Sequence, residues 1–60
     1  MRFVINVVQT DSDEKVVDRK TVGEYKTEIE AVRRVMEEDQ KLRKSNEKGV
    51  HVEMLQIMEK

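Results

Sequence analysis

The sequence predicts a small α+β domain of β-β-α-β order, a three-stranded antiparallel or mixed sheet in spatial order 2-1-3 with one helix packed on one face. Three observations predict it. RFVINVVQ (2–9) and VHVEMLQIM (50–58) are apolar, β-branched runs of strand length. Residues 27–45 carry apolar side chains at helical spacing behind a capping signal. The chain has 60 residues, enough for a single domain over 1–60.

The first strand is apolar on both sides. Phe3, Ile5 and Val7 point one way, Val4 and Val8 the other with Asn6 between them. A strand with two apolar sides belongs in the centre of a sheet and expects cover on both faces. TDSDEK (10–15) is polar and reads as a hairpin loop. Asp11 and Asp13 have the spacing of the first ligands of a calcium loop. Lys15 and Val16 then stand where an oxygen ligand and Gly belong, so no metal is expected there. VVDRKTV (16–22) is the second strand, with Val16, Asp18, Lys20 and Val22 on one side and Val17, Arg19 and Thr21 on the other. Charges on both sides suit an edge. Gly23 breaks or bulges it.

Thr27 opens the helix, and TEIE (27–30) is a capping box. Lys41, Arg43 and Lys44 near the far end suit the helix dipole, and SNEKG (45–49) terminates the run. At 100° per residue, Ile29, Ala31, Val32, Val35, Met36 and Leu42 fall within about 160° of arc, one face for one sheet. Asp39 and Arg43 fall inside the same arc. Glu30–Arg34, Arg34–Glu38, Glu37–Lys41 and Asp39–Arg43 are spaced as ion pairs along the surface. The third strand places Val50, Val52, Met54 and Met58 on one face and His51, Glu53, Leu55 and Ile57 on the other. The hairpin makes the first two strands antiparallel. The helix returns the chain, so the third strand runs parallel to the second and antiparallel to the first, through one right-handed crossover.

Composition narrows the function. Charged residues make up 42% of the chain, but their signs are mixed and the net charge is −1. Val, Ile, Leu and Phe number 16 of 60, which favours a folded chain over a disordered one. The near-neutral balance argues against a dedicated nucleic-acid binder. There is no Cys, so neither a disulfide nor a cysteine zinc site is expected. His51 is the only histidine, and no cofactor or nucleophile motif is present. The apolar runs are too short for a membrane span or a signal peptide, and the chain is read as cytoplasmic and complete.

A chain this short is marginal alone. Apolar burial contributes on the order of 90 kcal/mol, and ordering the residues costs on the order of 90 kcal/mol. Oligomerisation is the remaining source of stability. If the helix covers Phe3, Ile5, Val7, Val50, Val52 and Met54, then Val4, Val8, Leu55 and Ile57 stand on the uncovered face with Asn6 among them. These five residues are the expected homodimer or partner interface. The expected function is a non-enzymatic interaction module that acts as a homodimer and binds another protein. The alternative is a small nucleic-acid-associated regulator using Lys15, Arg19 and Lys20 with Lys41, Arg43 and Lys44, although no aromatic residue sits among them to stack on a base.

Overall fold

The computed structural model describes residues 1–58. Strand β1 runs Arg2–Thr10, β2 Val16–Tyr25 and β3 Val50–Ile57, with helix α1 over Glu28–Ser45 between the last two strands. The sheet has the order β2-β1-β3, and both pairings are antiparallel. The expected order and topology are present. The molecule is two layers thick, one sheet and one helix, and α1 meets all three strands.

The hairpin loop is held by Asp11. Its Oδ1 accepts from the backbone N–H of Asp13 at 2.9 Å and of Lys15 at 3.0 Å. An Asp carboxylate bonded to backbone groups two and four residues on is a turn device. Glu14 completes the turn in the left-handed region, with φ 63°.

Strand β2 runs three residues beyond the expected end, because two β-bulges keep it paired. Ile5 faces Gly23 and Asn6 faces Thr21, which leaves Val22 as an extra residue. Gln9 faces Asp18 and Thr10 faces Val16, which leaves Val17 extra. The bulge at Val22 changes the phase of everything after it. Val22 and Tyr25 both join the core beneath the helix, and the Tyr25 ring lies over Gly23, where an added Cβ would stand 2.7 Å from Tyr25 Cε2. Gly23 leaves the space that an aromatic neighbour fills.

Helix α1 starts at its expected cap. Thr27 has extended backbone, and its side-chain oxygen accepts from Glu30 N–H at 3.4 Å. Asn46 closes the far end in the left-handed conformation. Gly49, at φ 73°, then turns the chain into β3 so closely that an added Cβ would stand 2.8 Å from the Thr10 carbonyl oxygen. The Gly49 carbonyl accepts from Thr10 N–H at 2.7 Å.

The core is small: Phe3, Ile5 and Ala31 are buried together, with Val22, Tyr25, Val35 and Val52 packed around them. Its position corrects the expected helix face. The apolar arc as a whole does not point at the sheet. Ala31 is the fully buried helix residue of the core, and the helix is turned by about 70° from the middle of that arc. Ile29 is 71% exposed and Met36 59%, while the carboxylate-bearing Glu38 is buried at 8%. Size explains the rotation. A small residue at the crossing lets the helix axis approach Phe3 and Ile5, whereas Ile29 and Met36 at that point would hold it away. Glu38 tolerates its position because Arg34 Nη2 lies 2.9 Å and Lys41 Nζ 3.5 Å from its Oε1.

Candidate interaction surface

The uncovered face of the sheet is built by alternation from all three strands. Arg2, Val4, Asn6 and Val8 of β1 lie between Glu24, Thr21 and Arg19 of β2 and Ile57, Leu55, Glu53 and His51 of β3. The structure closes much of this face with its own side chains. Asn6, 3% exposed, accepts at Oδ1 from the Thr21 hydroxyl at 2.8 Å and donates from Nδ2 to Glu53 Oε1 at 3.0 Å. The same carboxylate oxygen lies 2.8 Å from Arg19 Nε. Four polar residues from three strands thus form one connected network, with a buried amide satisfied on both sides. A second ion pair joins Arg2 to Glu24 across the same face.

This network corrects the expected exposure. Val8 faces Arg19 on one side and His51 on the other, and the Arg19 side chain must cross β1 to reach Glu53. Val8 is 1% exposed. A long charged side chain covers apolar surface with its stem while its head stays polar. Val4 and Ile57 are half-buried, and of the expected set only Leu55 is exposed. Asn6 finds its partners inside the chain, so it is not a polar group waiting for a second copy.

The exposed apolar surface lies elsewhere. Ile29, Val32 and Met36 project from α1, Met54 and Leu55 from β3, and Met58 just beyond it, all exposed. The sides of the helix can be told apart by their neighbours. Arg34 lines a cleft with Tyr25 of β2, and Glu38 lines one that runs from Asp18, Lys20 and Val22 of β2 across Val7 and Gln9 to Val50. Asp39 lines one with Val50 and His51 of β3. The row Ile29, Val32, Met36, Asp39, Arg43, spaced three and four apart, is therefore the flank on the β3 side. The Asp39–Arg43 pair forms at 3.1 Å on that row. Sequence periodicity identified Ile29, Val32 and Met36 as apolar but assigned them to the core, because it does not reveal the rotation of a helix.

The six bases named for nucleic acid do not gather. Arg19 lies on the uncovered face in its pair with Glu53, while Lys20, opposite Val7, lies on the helix face. Lys41 is held by Glu38 and Arg43 by Asp39. Lys15 sits in the hairpin loop, and Lys44 is exposed in the last helical turn. Among the described residues no three His, Asp or Glu side chains converge as a metal site, and no helix is long and apolar enough to cross a membrane. Comparison with protein-family models, with curated proteins and with solved structures found no match to this chain.

Proposed function

We propose that the chain is a small non-enzymatic interaction module, working in the cytoplasm as a homodimer that binds another protein. The observation that supports this reading is an imbalance of surfaces. Among the described residues four hydrophobic side chains are buried, and nine large ones are exposed. Scattered apolar residues are ordinary on a protein surface, but a contiguous group marks an interaction site. Six of the nine flank or follow β3, with Leu55 on the uncovered face of the sheet and Met54 on the helix face beside the α1 residues. The nucleic-acid reading has less behind it, since three of its six bases are neutralised by carboxylates of the same chain.

Thermal melting across concentration tests the homodimer. Association of folded chains makes the melting temperature rise with protein concentration between about 1 and about 100 µM. A melting temperature constant over that range overturns the homodimer. A salt titration with random DNA tests the alternative: absence of binding at low salt removes it, and a steep loss of affinity with salt supports it.

A further inference from the structure

Strand β3 is an edge strand, and its free side can be identified. Thr10 N–H donates to Gly49 O, which makes that opposed pair a hydrogen-bonded one. Opposed residues of an antiparallel ladder alternate between bonded and non-bonded pairs. Val8–His51, Asn6–Glu53 and Val4–Leu55 are then bonded pairs, and the backbone of Val50, Val52, Met54 and Gln56 points away from β1. None of these four residues is charged. Their pairing register with β1 carries no bulge. A straight edge whose outward-pointing backbone belongs to residues without charge or proline is a template for another strand.

Resting on the reading that the chain is a homodimer, we infer that two copies join along β3 in antiparallel pairing, about a two-fold axis perpendicular to the sheet at Met54 and Met36. The product is a six-stranded sheet with both helices on one face. Levels along the molecule agree for both layers. The helix begins beside the end of the sheet where Phe3 faces both Tyr25 and Gln56. Met36 lies eight residues into α1, about 12 Å along, and Met54 three residues from the end of β3, about 10 Å along. One axis therefore serves both layers: Met36 meets its own copy over the joined edges, with Val32 and Ile29 of one helix beside Gln40 and Arg43 of the other. An axis at Glu53 instead would set a carboxylate opposite its own copy, which is unfavourable.

Charge and area both fit a second copy of this chain. Antiparallel helices bring Glu28 in the acidic first turn of one copy towards Arg43 in the basic last turn of the other. A monomeric protein of 7.1 kDa exposes about 4,100 Å², whereas this chain exposes 4954 Å². The excess of about 850 Å² belongs to a flat molecule of 38 × 23 × 12 Å, and it is of the size, roughly 800 Å², that each partner contributes to a standard specific interface.

Sedimentation equilibrium with four variants tests the inference, with circular dichroism as the check on folding. Met36→Glu and Met36→Lys each set like charges on the axis and should raise the dimer dissociation constant by about 100-fold or more. An equimolar mixture of the two should associate again as a heterodimer. Gln56→Pro removes an outward backbone donor and leaves β1 pairing intact, so it should weaken the dimer without unfolding the chain. Val4→Lys, on the uncovered face, should leave the dimer constant unchanged. A dimer that survives Met36→Glu and Gln56→Pro but is lost in Val4→Lys joins through the sheet face: the homodimer stands and the edge pairing falls. A wild-type chain that stays monomeric to about 100 µM removes both.

Discussion

The two edges of this sheet are built on opposite principles. Strand β2 is bulged at Val17 and Val22, carries Asp18, Arg19, Lys20 and Glu24 within ten residues, and is roofed at one end by Tyr25 over Gly23. Strand β3 pairs with β1 in unbroken register and has one acid, Glu53, already committed to Asn6 and Arg19. Bulges and charge are how sheets keep strangers from pairing. One edge is closed to pairing by its own sequence and the other is left regular. The difference separates the two edges better than hydrophobicity alone, since Val16 and Val17 of β2 are exposed as well.

Substitutions that break or sharpen this contrast are ranked by expected effect. Ile5, between the edges and fully buried, supports both. Ile5→Ala should cost about 3 kcal/mol, measured by urea denaturation at one fixed protein concentration; a cost below about 1 kcal/mol would mean that the edges stand without a shared core. The two glycines separate the edges. Gly49→Ala puts a methyl against a backbone oxygen at positive φ, where nothing nearby can yield, and should cost about 2 kcal/mol. Gly23→Ala meets the Tyr25 ring, which can swing aside, and should cost about 1 kcal/mol. A reversed order in the two denaturation midpoints would show that the Tyr25 roof matters more than the turn into β3. Thr27→Ala should cost about 1 kcal/mol through the helix cap, and an unchanged midpoint would place the helix start elsewhere. Arg19→Ala should cost about 0.5 kcal/mol, because its ion pair is half solvated. A loss above about 2 kcal/mol would show that the cover its stem gives Val8 outweighs the ion pair.

Much of the fold was legible in the sequence. Period-two runs, the cap at Thr27 and the αL residue chemistry after Ser45 specify elements and order with local physics. What local pattern does not encode is phase. The bulge at Val22 turned Tyr25 inward, although uninterrupted alternation from Val22 places Tyr25 on the other side from it. A small residue, Ala31, decided how far the helix rotated, so Glu38 went in and Met36 stayed out. The candidate surface was legible only in part. Counting apolar residues on the uncovered face omitted what Arg19, Glu53 and Thr21 do there: long or branched polar side chains across a narrow strand cover Val8 and satisfy Asn6. Their spacing across strands depends on register, which sequence alone leaves open.

The order β2-β1-β3 also has a consequence in time. A ribosome makes the central strand before either neighbour, and makes β3 only after β2 and the helix. The β1–β2 hairpin closes over a few residues and can form within microseconds. The Asn6–Glu53 bond joins positions 47 apart in the chain, so β1 gains its second neighbour only after β2 and the helix have been made. Until β3 is made, the β1–β2 hairpin therefore carries β1 with one edge unpaired.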